Sequence, residues 1–259
     1  MLQEEKNRWL QTNTLELRIF DQYFHHHANE ILESNSKLKN FFIGALEQKI
    51  SVNTRIKKKQ NNDSPGIEAA ALNKEIRRLI NGDNEIQIMF EVVEDKGVFY
   101  PMVGKIAGFD FAIINNLKNL ISLRNICFGE LKYHDGTKRW EKYLSENPDL
   151  KKLVSLYKLE EFKEGENMKF QKKELGDQPL IVGEIQFGNW ALAYRDFFKV
   201  LKADVQNSVD CLVYIVPTNN LYNYLSDGIV NFNETKKILE EFEKVIPIPI
   251  WLIGIDVKL

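Results

Sequence analysis

Between residues 7 and about 50, apolar side chains recur at the spacing of one helical face: Leu15, Ile19, Phe20, Tyr23 and Phe24, then Ile31, Leu32, Leu38, Phe41, Phe42 and Leu46. This pattern predicts a predominantly helical N-terminal part. Ser64-Pro65 reads as a helix start, because a serine caps free N–H groups and proline's fixed φ suits a first turn; that helix should run to about Ile80 and stop at Asn81-Gly82. Residues 86–93, 98–103 and 109–114 have the composition of short strands, and residues 116–123 suit either strand or helix. A charged helix is expected over residues 149–164, after the Asn147-Pro148 break.

The pattern is clearer toward the C-terminus: strand 180–187, helix 190–202, strand 209–216, helix 233–245 and strand 248–256. Such alternation implies an α/β fold, a sheet flanked by helices. In the first of these helices Ala191, Tyr194, Phe197, Phe198 and Leu201 form one apolar face, which assigns its aromatics to packing rather than base stacking.

At 259 residues, with 44% hydrophobic and 28% charged content, the chain can bury a substantial core as one domain spanning residues 1–259. Its apolar runs, such as residues 247–255, fall well short of the roughly 20 needed to cross a bilayer, and residues 1–6 lack a signal-peptide core. The expectation is a cytoplasmic protein without membrane contact. Cys127 and Cys211 sit among apolar neighbours and are expected to be buried thiols, not disulfide or metal partners. A net charge of −2 does not mark a nucleic-acid binder, but Arg55, Lys57, Lys58 and Lys59 form a local basic run followed by polar residues 60–63. With no phosphate-cradling glycine loop and no paired Cys-x-x-Cys motif, neither a nucleotide cofactor nor a zinc module is expected. Three consecutive histidines, His25 to His27, diverge on a helix and do not make a metal cluster.

The chemistry concentrates in Leu180-Ile181-Val182-Gly183-Glu184-Ile185-Gln186-Phe187. Alternation puts Glu184 and Gln186 on the same side of a strand whose remaining composition calls for burial on both faces. A buried carboxylate costs several kcal/mol unless it is paired or bound to a cation. Glu184, the Ile185 carbonyl and a second acid would suit Mg²⁺, which prefers oxygen ligands, and Gln186 would then orient the attacking water. An edge strand with two solvated polar residues satisfies the same spacing equally well.

Glu184-Ile185-Gln186-Phe187-Gly188-Asn189-Trp190, followed by Tyr194, Asp196, Phe197, Lys199 and Asp210, resembles the Glu-x-Gln active-site segment of the BglII/BstYI type II restriction endonucleases, BstYI-like members being the nearer match. The similarity extends to residues 249–255, to Ser64-Pro65 with Ala71-Leu72-Asn73, and more loosely to residues 26–31, leaving about 86–145 as an insertion. The resemblance implies a PD-(D/E)xK nuclease fold, with a mixed central sheet flanked by helices. It also implies a Mg²⁺-dependent homodimer that cuts double-stranded DNA at a short palindrome, with a GATC-centred target as the family expectation. That family places an Asp just before Phe-x-Lys on the strand leading into Glu-x-Gln, and the local match here is Lys169-Phe170-Gln171-Lys172. Lys169 in the aspartate's place would repel Mg²⁺ and point to an inactivated copy. Otherwise Asp177, ahead of Glu166 and Glu174, supplies the second carboxylate.

A second constellation, Asp110 with Glu130 and Lys132, has the Glu-x-Lys form commoner in this fold, although Glu130 and Lys132 equally suit a solvated face before the turn at His134-Asp135-Gly136. For DNA contacts, Asn189 is either a base reader or the N-cap of the helix that follows. By resemblance, the polar stretch holding Thr218, Asn219, Asn220, Ser226, Asp227, Asn231 and Asn233 is a recognition loop. Three functions follow: a homodimeric sequence-specific endonuclease, a noncatalytic DNA-binding protein on a nuclease scaffold, or a metal-dependent phosphodiesterase using Asp110, Glu130 and Lys132.

Overall fold

The computed structural model describes residues 1–58, 63–81, 86–101, 108–169, 178–205 and 209–258. Helix α1 (Gln3–Gln11) leads into strand β1 (Thr14–His25), helices α2 (Ala28–Ser34) and α3 (Ser36–Ala45), and the short strand β2 (Lys49–Ser51). Strands β3 (Thr54–Lys58) and β4 (Asp63–Ile67) form a separate two-stranded sheet before helix α4 (Ala69–Ile80). Then come β5 (Met89–Asp95), β6 (Val98–Pro101) and β7 (Phe109–Ile113), followed by helices α5 (Asn116–Phe128), α6 (Gly136–Glu146) and α7 (Lys151–Leu156). The chain closes with β8 (Ile181–Ile185), α8 (Leu192–Val205), β9 (Cys211–Pro217), α9 (Asn219–Tyr224), α10 (Phe232–Glu241) and β10 (Ile250–Lys258).

Among the described residues the main sheet has eight strands in the order β2-β1-β10-β9-β8-β7-β5-β6. Strands β8, β9 and β10 run parallel at its centre, and antiparallel strands extend it on both sides through β1 and β7. The three central strands are buried on both faces, which is why they read as nearly unbroken apolar runs. On one face Phe42, Leu72 and Ile76 of α3 and α4 pack on Ile181, Ile185, Val213 and Ile253. On the other, Phe197 and Val200 of α8 with Ile238 and Leu239 of α10 cover Val182, Leu212, Tyr214 and Leu252. A third cluster, built on Leu120, Leu123, Trp140 and Leu144, joins α5 and α6 into a helical lobe.

Three elements differ from the sequence pattern, and a fourth, open between strand and helix, takes one of the two. Residues 14–25 are a strand, not a helix; a register shift between Ile19 and Asp21 breaks the two-residue alternation and leaves a spacing that imitates a helical face. Ser64 and Pro65 lie in β4, opposite Lys57 and Ile56, and the helix begins at Ala69. A proline is tolerated there because this is an edge strand. Residues 116–128 are helical, capped by the Asn115 side chain, which accepts from the Lys118 N–H at 3.0 Å. The helix expected over 149–164 shrinks to a 3₁₀ turn at Pro148–Leu150 and the short α7. Buried Arg124 donates to the Phe162 and Lys163 carbonyls at 3.1 and 2.8 Å and also to that of Glu166, which holds the following chain as turns.

Strands β5, β6 and β7, within residues 86–145, belong to the main sheet, and the helical lobe follows β7. The histidine run closes a strand: His25 and His26 each place Nε2 on the Ile246 carbonyl, at 2.8 and 2.9 Å. Both cysteines are free and buried, as expected. Among the described residues no helix is long and apolar enough to cross a membrane.

Candidate active site

Strand β8 is interior, paired with β7 on one side and β9 on the other, so the edge-strand reading of Glu184 fails. Glu184 is only 3% exposed. Gly183 is required beneath it: opposite it lies Phe111, and a Cβ at 183 would sit 1.9 Å from the Phe111 ring. Asp110 directly precedes Phe111, the last residue of β7 paired with β8, and it lies close enough to Glu184 for its charge to act on that carboxyl. Beyond Gly183 the ladder to β7 ends, and side chains take over the main chain of Ile185. The Asp110 Oδ2 accepts from the Ile185 N–H at 2.7 Å, and the Asn73 Nδ2 donates to the Ile185 carbonyl at 3.2 Å.

Asp110 of β7 is thus the acid whose side chain bonds the main chain of β8 next to Glu184. Lys169 is not there. It is exposed and follows Met168, whose N–H donates to the Asn125 Oδ1 at 2.7 Å and whose carbonyl accepts from the Asn125 Nδ2 at 2.9 Å, at the end of α5. Asp177 and Glu174 lie outside the described residues, and exposed Glu166 pairs with Lys163 at 2.9 Å. The Asp110, Glu130 and Lys132 constellation is not assembled either. Glu130 and Lys132 are exposed in a turn, and Lys132 pairs with Glu164.

Helix α8 contributes the other half of the site. Lys199 contacts the Glu184 Oε1, donates to the Gly108 carbonyl at 2.7 Å and lies 3.6 Å from the Asp196 Oδ1. Fully buried Asp196 also accepts from the Gln186 Nε2 at 2.7 Å, the Tyr214 hydroxyl at 3.1 Å and Arg195 at 3.0 Å. The Gln186 Oε1 accepts from the Gly188 N–H at 2.8 Å, so both ends of that amide are engaged within the fold. A Cβ at 188 would come within 2.8 Å of that oxygen, which explains the glycine. Gln186 thus shares the face of Glu184 as alternation predicted, but its polar ends are turned to Asp196 and Gly188.

Burial pushes the Glu184 carboxyl up to about 8; Lys199 opposes this, while Asp110 and Asp196 add to it. Burial likewise raises Asp110, against the Ile185 N–H, Arg77 and Lys199. Two desolvated acids that each disfavour the other's ionised form are relieved by a cation shared between them. Asp110, Glu184 and the Ile185 carbonyl are all hard oxygen donors, the type chosen by Mg²⁺ and similar ions, so this donor set fits a divalent cation. Among the described residues no three His, Cys, Asp or Glu side chains converge on a metal position.

The expected DNA-contacting residues divide by role. Lys57 donates to the Leu225 carbonyl at 2.8 Å and Arg55 donates to the Ser226 Oγ at 3.2 Å, joining the basic hairpin to the polar stretch. Lys58 is exposed; Lys59 lies outside the described residues. Asn219 and Asn231 are used by the fold: Asn219 donates to the Asp256 Oδ2 at 3.1 Å, and Asn231 caps α10 by accepting from the Glu234 N–H at 3.0 Å. Asn220 is exposed. Asn189 is exposed too, its Oδ1 accepting from the Ala191 N–H at 2.9 Å as a cap would; the bridge to Ile229 ties it to the Ser226 loop.

Asn73 and Asp110 are the site residues whose place the sequence pattern does not give. The signal for both was present, in the Ala71-Leu72-Asn73 similarity and in the isolated acid of Phe109-Asp110-Phe111, but nothing local connects either to Glu184.

The sequence model of the family described as "Restriction endonuclease BglII/BglIII" matches residues 20–255. No curated protein matches the chain. Among solved structures, the crystal structure of restriction endonuclease BglII complexed with a DNA 16-mer is similar over 90% of this chain and 76% of that one, with 11% identity and a TM-score of 0.45.

Proposed function

Because the chain belongs to the BglII/BglIII restriction endonuclease family, we propose that it is a type II endonuclease that hydrolyses phosphodiester bonds of double-stranded DNA at a short palindromic site, GATC-centred by family expectation, and that its ion is Mg²⁺. The observation that carries this reading is the hydrogen bond from the Ile185 N–H to the Asp110 carboxylate, which brings a second acid to the residue next to Glu184. Asp110, Glu184 and the Ile185 carbonyl would hold the ion. When bound, such an ion polarises a phosphoryl oxygen and lowers the pKa of a bound water.

The chain's own groups prepare that place. Asp110 is fixed through both carboxylate oxygens, by Ile185 N–H and by Arg77, which leaves the remaining lone pairs for a ligand. Lys199 contacts the Glu184 carboxyl and opposes, without cancelling, the cost of burying its charge. Asp196 holds Gln186 and Lys199 together on the opposite side. With Asp110 as the second acid, an active centre does not require an aspartate in the place of Lys169.

DNA would be gripped by Arg55, Lys57 and Lys58 of the hairpin and by Lys59, with Asn189, Asn220 and Ser226 toward the bases. Asn219 and Asn231, committed to the fold, would shape this surface from behind. A homodimer would give each strand of a palindrome its own centre.

Plasmid cleavage with Mg²⁺ tests the proposal. Asp110→Asn and Glu184→Gln should each lose roughly a thousandfold in rate, whereas Glu130→Gln should cleave normally. Cleavage that depends on Glu130 and ignores Glu184 would move the centre to the other constellation.

A further inference from the structure

Arg77 of α4 makes three side-chain contacts that converge on the candidate metal position. Its Nη2 donates to the Asp110 Oδ1 at 2.6 Å, its Nε donates to the Asn73 Oδ1 at 2.7 Å, and its Nη1 pairs with Glu91 of β5. Since Arg77 takes the oxygen of the Asn73 amide, the NH₂ end is the one presented to the Ile185 carbonyl. One guanidinium thus sets the orientation of two groups that contact Ile185 from opposite sides, a task its planar fork performs and a point charge does not.

Glu91 is the unusual member. It lies between the pairs Phe90↔Phe111 and Val92↔Phe109, hence opposite Asp110, and its φ is +50°. A glutamate held in the left-handed region within a strand is strained, and such strain persists only where its surroundings impose it. Here the outcome is a carboxylate turned to the far arm of Arg77. The Arg77 side chain is 24% exposed, not sealed in, and its guanidinium lies between a candidate metal ligand and a second acid.

Resting on the nuclease reading above, we infer that Arg77 is a positioning residue and a resident counter-cation: it aims Asp110 and Asn73, competes with the divalent ion for Asp110, and has the strength of that competition set by Glu91. Without Glu91, the whole charge of Arg77 falls on Asp110. Without Arg77, Asp110 keeps only its bond from Ile185 N–H, so the ion meets less repulsion at a carboxylate that is less well aimed.

Mn²⁺ binding to the full chain, followed by electron paramagnetic resonance without DNA, tests this alongside DNA cleavage at saturating Mn²⁺. Arg77→Met should bind Mn²⁺ roughly fivefold tighter and yet cleave more slowly, a pair of opposite changes that loss of structure does not produce. Glu91→Gln, nearly isosteric, should bind roughly fivefold more weakly, and this effect should vanish in the Arg77→Met background. If Glu91→Gln weakens binding equally in both backgrounds, Glu91 acts directly on the ion and the inference falls. It also falls if Arg77→Met binds Mn²⁺ no tighter. A wild-type chain that binds no Mn²⁺, together with a Glu184→Gln variant that cleaves normally, would instead overturn the nuclease centre itself.

Discussion

Two acids on the central strands, Glu184 of β8 and Asp256 of β10, are buried almost equally, at 3% and 0% exposure, yet they live in opposite electrostatic circumstances. Asp256 is surrounded by donors: Arg18 at 2.6 Å, the Leu221 N–H at 3.0 Å and Asn219 at 3.1 Å. These outweigh its burial and hold its carboxyl below the usual range. Glu184 has Lys199 but also feels Asp110 and Asp196, and burial pushes it up to about 8. The first acid is consumed by the fold, capping α9 and tying β1 to β10. The second is left with negative neighbours, an arrangement that folding alone does not reward and that a bound cation would exploit.

The largest effect that separates them is on chemistry. Glu184→Gln should abolish Mg²⁺-dependent plasmid cleavage while leaving the melting temperature unchanged or higher, because the neutral amide escapes the repulsion from Asp110 and Asp196. Asp256→Asn should do the reverse. It should cost roughly 2–3 kcal/mol in urea denaturation, since the amide keeps one acceptor oxygen where Arg18, the Leu221 N–H and Asn219 shared two and loses the charge that Arg18 pairs with, while the folded fraction still cuts DNA. Equal losses of stability in the two variants would erase the distinction.

A smaller but more diagnostic effect is the pH dependence of stability in cation-free buffer. A carboxyl whose folded pKa lies above its unfolded value binds its proton more tightly in the native state, so stability falls as pH rises between about 4.5 and about 8. Asp256 acts in the opposite sense. Its stabilisation is present above the ordinary value of 3.8 and disappears as pH falls through the lower folded value. Denaturant midpoints measured across pH should therefore show a decline toward pH 8 that Glu184→Gln flattens and that excess Mg²⁺ also flattens. A decline that survives in Glu184→Gln would have to come from other groups.

How much of this could be read from the sequence follows from how local each signal is. Glu184 and Gln186 were legible because two polar residues on one side of an apolar run violate burial within a single strand. Asp110 was legible only as an isolated acid. Its approach to Glu184 depends on β7 meeting β8 across about seventy residues and a helical lobe, and strand register carries no mark in either segment. Lys169 stood out because Lys169-Phe170-Gln171-Lys172 resembles the family's Asp-Phe-x-Lys, whereas the strand paired with β8 on that side comes from much earlier in the chain. Strand β1 shows the same limit in another form: one register shift near Ile19 was enough to make a period of two resemble a period of 3.6.

The same division between charges spent on the fold and charges left over extends to the surface, where the expected effects are smallest. Lys57 and Lys58 are neighbours in β3, and alternation sends their side chains to opposite faces. Lys57 reaches across to the carbonyls of Asn223 and Leu225, whereas Lys58 is exposed at the end of its strand. A lysine that neutralises one phosphate contributes about one unit to the slope of log affinity against log salt. Lys58→Ala should therefore lower that slope by about one in a DNA gel-shift series with no change in melting temperature. Lys57→Ala should lower the melting temperature as well, because the hairpin loses its hold on the 223–225 segment. If both variants left the slope untouched, the basic hairpin would be a solvated surface feature, and the grip on DNA would have to be sought around Asn189 and Ser226.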